Sequence, residues 1–140
     1  MDFNELSVPY NTYINTLITL IKLNNINLLK VFIMYRPPEY KLLSIKLILV
    51  AIQYDTYAIC KMLLKTNIIK DAPSGSKFYD NPIFYAIYLA NTYPTLGYEK
   101  YITLLINSGV NLHTINSDGQ TPYEYINNKN IICPVNHFFL

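Results

Sequence analysis

The chain has no tryptophan, two cysteines, four glycines and few charges across its 140 residues. Each shortage excludes something. Two widely spaced cysteines, Cys60 and Cys133, make no disulfide framework. Cys60 lies in the apolar run Ala58-Ile59-Cys60-Lys61-Met62-Leu63-Leu64, where a buried thiol behaves as a small hydrophobe. Charged residues make up 14%, well under the usual share of about a quarter, and the net charge is only +2. The basic residues are scattered singly from Lys22 to Lys129, with no stripe for nucleic acid and no polybasic patch for a membrane surface. No glycine-rich loop is present to cradle a phosphate. The longest apolar stretch, Leu42 to Ile52, contains Ser44 and Lys46 and is too short to cross a bilayer. The start, Met1-Asp2-Phe3-Asn4-Glu5, lacks the positive segment of a secretory signal. A soluble, cytoplasmic protein of one domain is the expectation.

Hydrophobic residues supply 51% of the chain, enough for a proper core. They recur in helical rather than alternating order. The pattern predicts helices over Tyr13 to Leu23 and Ile26 to Tyr35, the second stopped by Pro37-Pro38. It predicts two more over Tyr40 to Tyr54 and Thr56 to Lys65, with Asn67 as a left-handed stop. Asp71 to Asp80 reads as a plain loop. Asn81 caps a fifth helix that opens at Pro82 and runs to about Ala90, followed by a loop from Asn91 to Gly97. A sixth helix spans Glu99 to Asn107 and is closed by Gly109, which takes positive φ without a Cβ clash. Thr121 and Pro122 open a seventh, which fades near Asn127-Asn128. The chain is thus an all-α series of short helix pairs with polar loops between them.

The pairs repeat. Asn107-Ser108-Gly109-Val110-Asn111 leads to Asp118-Gly119-Gln120-Thr121-Pro122-Tyr123, and Asn81-Pro82-Ile83-Phe84-Tyr85-Ala86 echoes the second part upstream. Pro82 and Pro122 stand 40 positions apart, with the surplus over a regular unit in Asn91 to Tyr98. Lys30 and Lys61 occupy equivalent places in two earlier units, 31 positions apart. This pattern resembles the ankyrin repeat, whose unit is about 33 residues. There a Leu-Leu helix ends in glycine, a hairpin finger crosses over, and a Thr-Pro-Leu-His motif opens the next unit. Here Tyr123 replaces the Leu and Glu124 the His. The resemblance covers most of Leu17 to Ile126 as three repeats and a partial fourth. Met1 to Asn11 and Ile131 to Leu140 would be terminal caps.

The resemblance implies an ankyrin-repeat solenoid of stacked helix pairs with projecting fingers, acting without catalysis by binding another protein. Repeats rich in Ile, Asn and Tyr are similar to those of poxviruses and other large DNA viruses, which implies a host protein as partner and a host-range or immune-evasion role. The alternative is a truncated, degenerate relic of a longer ankyrin protein with no strong partner. No cofactor or small-molecule substrate is expected. In the family, partners meet the finger tips and the inner helix face. Carried over residue by residue, that surface is Lys77, Phe78, Asp80 and Tyr88 in the third unit, with Ile115, Ser117, Asp118 and Gln120 on the next finger. Met62, Leu63, Leu64, Leu104, Leu105 and Ile106 would form the core between repeats. Tyr57, Tyr85 and Tyr101 read as core, whereas Tyr79 and Tyr88 read as core or contact alike.

Catalytic readings are weaker. His113 falls in a finger, as an exposed contact rather than a base; a deep pocket converging on it would argue for an enzyme. Cys133 and His137 give one Cys-His pair, short of the four ligands that zinc needs. Neither cysteine has a partnering base and orienter in the pattern.

Overall fold

Left-handed residues at Asn24, Asp55 and Gly109 close three helices, and side-chain caps from Asn25, Asn81 and Thr121 open three. A computed structural model describes residues 9–128, and among them seven α-helices and no β-strand occur. The chain divides into two compact units, Met1–Ile68 and Ile69–Leu140. The all-α expectation holds.

In the first unit, α1 (Tyr10–Lys22) buries Ile14, Leu17, Ile18 and Ile21 along one helical stripe. It ends where Asn24 turns left-handed, at φ 54°. The amide of Asn24 then reaches the Ile21 carbonyl and that of Asn25 the Leu20 carbonyl, both at 2.9 Å. This is the Schellman closure, which satisfies carbonyls the helix would leave bare. The Asn25 side chain accepts from the Leu28 amide and so caps α2 (Ile26–Met34).

The same turn recurs one unit later. α3 (Lys46–Gln53) ends at Asp55, also at φ 54°, whose amide reaches Ile52 while that of Thr56 reaches Ala51. α4 (Tyr57–Leu63) follows at once. Asn24 and Asp55 are 31 positions apart, the same interval as Lys30 and Lys61. α1 packs on both α2 and α3, and α3 on α4. First helix therefore stacks on first helix, around Leu17, Ile21, Leu29, Leu47, Ile48 and Ile59, all fully buried.

Three expectations need correction here. Asn67 is not left-handed; Asp55 and Asn24 are the only described non-glycine residues with positive φ. The Asn67 carbonyl instead accepts from the Leu43 amide, in a short parallel bridge between Leu43 and Ile68. That bridge also explains why the third helix starts at Lys46 rather than Tyr40: Pro38–Tyr40 form a single 3-10 turn, and Leu43 then pairs in the bridge and is completely buried. Finally, α1 already begins at Tyr10, so Tyr10 and Asn11 are helix rather than cap. The other expected cap, Ile131 to Leu140, lies outside the described residues.

In the second unit, the Asn81 side chain accepts from the Ile83 amide and starts α5 (Pro82–Thr92). This helix is apolar nearly all round and buries Ile83, Phe84, Ala86, Ile87 and Leu89, as a central helix must. It packs on α6 (Glu99–Asn107), on α7 (Pro122–Asn128) and on a 3-10 turn, Phe78–Asp80. Gly109, at φ +85°, closes α6 with the same Schellman pattern: its own amide to Ile106 and that of Val110 to Leu105.

The segment expected as a plain loop, Asp71 to Asp80, is tied down. The Lys70 ammonium donates to the Ser108 carbonyl. The Asp71 carboxylate accepts from the Asn111 amide at 2.8 Å, the Gly75 amide donates to the Ile115 carbonyl at 2.9 Å, and Ser76 bridges to Asn116. The two loops therefore run side by side.

α7 opens with a capping box. The Glu124 amide donates to the Thr121 hydroxyl at 3.3 Å, and the Thr121 amide donates back to the Glu124 carboxylate at 3.2 Å. Thr121→Ala is expected to cost about 1 kcal/mol, and Thr121→Ser to keep most of it. Urea titration followed by circular dichroism checks this; an unchanged midpoint for the alanine variant would contradict the cap.

Candidate partner-binding site

Three stretches of the second unit meet at one open cleft of about 340 Å³. The 3-10 turn contributes Phe78, α5 contributes Tyr88, and the loop before α7 contributes Asn116, Ser117, Asp118 and Gln120. Tyr125 of α7 completes the lining. Phe78 and Tyr88 are half-buried and in ring contact, with centroids 4.5 Å apart and planes at 36°. Such a tilted pair contributes beyond its buried area. Phe78 also meets Tyr79 edge-on at 5.3 Å.

The far wall is organised by Asn116, which is 3% exposed. Its side-chain oxygen accepts from the amides of Asp118 and Gln120 at 3.0 and 2.9 Å, and its amide nitrogen donates to the Gln120 side-chain oxygen at 3.1 Å. Its main-chain amide donates to the Gln120 carbonyl at 2.9 Å. Gly119, at φ +76°, lets the chain turn back between them. Burial pushes the phenol of Tyr125 above its ordinary range, and neighbouring Tyr88 and the Asp118 carboxylate push it further. Tyr88, Tyr125 and Asp118 therefore share one electrostatic environment.

Of the eight residues expected at the contact surface, Phe78, Tyr88, Ser117, Asp118 and Gln120 come together in this cleft. Lys77, Asp80 and Ile115 are exposed but do not line it. The Lys77 ammonium lies 5.9 Å from the Tyr79 ring centre, and the Ile115 carbonyl is taken by Gly75. Sequence reasoning passed over Asn116 and Tyr125. The signal for Asn116 was available, since asparagine two residues before Asp-Gly commonly folds its side chain onto the following amides.

No family model, curated protein or solved structure matches this chain. Its site is read from its own geometry. His113 is exposed and does not line the cleft. Cys60 is fully buried, and burial pushes its thiol up to about 12, which leaves almost no thiolate near neutral pH. Cys133 and His137 lie outside the described residues. Among the described residues, no three His, Cys, Asp or Glu side chains cluster as metal ligands would, and no helix is long and apolar enough to cross a membrane.

The tyrosines divide by position. Tyr101 is fully buried, Tyr85 half-buried, and Tyr57 exposed, so only part of that group is core. Tyr79 is exposed. Residues 91–97 are exposed throughout and form a separate surface on the same unit.

Proposed function

We propose that the chain is a protein-interaction module of ankyrin type, acting by binding rather than catalysis, and that its partner docks at the cleft beside α5 and the loop before α7. The observation that carries this reading is convergence. Five of the eight residues chosen from the repeat pattern alone, Phe78, Tyr88, Ser117, Asp118 and Gln120, meet in one aromatic-lined cleft. Aromatic residues in such pockets dominate recognition energies. The repeated Schellman turns at Asn24 and Asp55, the Thr121-Pro122 helix start and the stacking of successive first helices within the first unit support the repeat reading.

The test is affinity capture from host-cell lysate with mass spectrometry, comparing wild type with the double variant Phe78→Ala/Tyr88→Ala. An aromatic hot spot contributes about 2 kcal/mol or more, so captured partners should fall by at least about thirtyfold in affinity. The tilted pair is half-buried, so the melting midpoint should drop modestly, and capture is measured well below it. Capture that survives the double change but fails on shortening residues 91–97 would place the contact on that exposed loop instead.

A further inference from the structure

The cleft combines π faces with one bare charge. Asp118 is the only charged residue in its lining, is exposed, and has no ion-pair partner among the described residues. Its main-chain amide is committed to Asn116, which fixes the residue's position and leaves the carboxylate outside that hydrogen-bond set. The rings of Phe78 and Tyr88, tilted together at 4.5 Å, share the same lining. Ring faces carry negative quadrupole potential, so they and the carboxylate favour a cation and disfavour an anion.

Lys77, next to Phe78 in the sequence, does not line the cleft and lies over Tyr79 instead. No cation of the described lining is available to satisfy Asp118, and none is there to hold a phosphate or nucleotide. The lining is also too polar on its far wall for a purely aliphatic anchor, since Ser117, Asp118 and Gln120 would lose water without gaining bonds.

Resting on the reading of the cleft as the partner site, we propose that it takes an arginine side chain of the partner, the guanidinium lying against the ring surface that the Phe78–Tyr88 pair leaves open while its N–H groups reach the Asp118 carboxylate. Arginine fits better than lysine because its group is planar, weakly hydrated and able to stack and bond to a carboxylate at once. The Gln120 side-chain oxygen, already accepting one bond from Asn116, has a second lone pair to offer.

A random peptide display library selected on the immobilised protein tests this, with counter-selection on the Phe78→Ala/Tyr88→Ala variant. Retained sequences should share an arginine. Synthetic copies with that arginine replaced by citrulline, which keeps the shape and removes the charge, should bind about tenfold more weakly or worse. Asp118→Asn, which keeps the amide bonded to Asn116, should weaken the arginine peptides similarly and leave the citrulline peptides unchanged. Tyr88→Leu, which fills space without a π face, supplies a second comparison if the double variant folds poorly. Cleft-dependent peptides without arginine, or with lysine serving equally, would overturn the arginine assignment while leaving the docking site intact. Equal binding of citrulline copies would do the same. Recovery of no cleft-dependent peptide would overturn both.

Discussion

Replacing Leu105 with alanine is expected to destabilise the protein by about 2–5 kcal/mol, the range for emptying a packed leucine site. Leu105 is fully buried on α6, the helix that packs on α5. Its carbonyl accepts from the Val110 amide in the closing turn, so the position serves both core and helix end. The neighbours give the discriminating control. Leu104 and Ile106 are half-buried, and truncating either should cost distinctly less. Leu105→Met, which nearly conserves volume, should cost under about 1.5 kcal/mol. The chain has 14 tyrosines and no tryptophan, so tyrosine fluorescence in a urea titration reports the transition. A larger loss for Ile106→Ala than for Leu105→Ala would mean that α6 is rotated from the packing described.

That control reflects a limit of reading the core from runs of apolar residues. Three consecutive residues cannot share a face when each step turns the helix by about 100°. In Met62-Leu63-Leu64 only Leu63 is fully buried, and in Leu104-Leu105-Ile106 only Leu105 is. The faces that pack lie a turn earlier as well, through Ile59 and Cys60 in α4 and through Tyr101 and Ile102 in α6. Helix starts were easier to read, because Asn81-Pro82 and Thr121-Pro122 carry their own caps. So was the stop at Gly109, where a glycine allows the turn by itself.

Stops decided by tertiary context were not legible. Asn67 has the chemistry of a left-handed stop after α4, yet it pairs with Leu43 and α4 closes on Leu64 in the right-handed region, while Asp55 supplies the left-handed stop of α3. Likewise the segment from Asp71 to Asp80 looks like loop chemistry, and it is held by Asp71 bonding to Asn111, 40 positions away, with Lys70 just before it bonding to Ser108, 38 positions away. Five of the seven residues that line the cleft, Phe78, Tyr88, Ser117, Asp118 and Gln120, were legible from the expected repeat register. Its supporting residue was not, because Asn116 is buried and acts by holding the amides of Asp118 and Gln120 rather than by facing outward.

That supporting residue carries the second large effect. Asn116→Ala removes the acceptor for two backbone amides, those of Asp118 and Gln120, together with the donor to the Gln120 side chain. A buried amide left unsatisfied costs about 1–3 kcal/mol, and partial access to water at this loop should bring the pair to about 2–3 kcal/mol in total. The loss should be larger in binding than stability alone explains, because the same bonds place Asp118 and Gln120 on the cleft wall. Asn116→Asp separates the contributions. Its carboxylate still accepts both amides, and only the bond to Gln120 must be remade by turning that side-chain amide around. Asn116→Asp should therefore retain most of the stability that Asn116→Ala loses. It also adds a second negative charge near Asp118, which strengthens a cleft that takes a cation. Amide hydrogen exchange at Asp118 and Gln120 reports the local effect directly: protection should vanish in Asn116→Ala and persist in Asn116→Asp. Equal protection in both variants would show that the loop is held by Gly119 and the Ser76 bridge rather than by the asparagine.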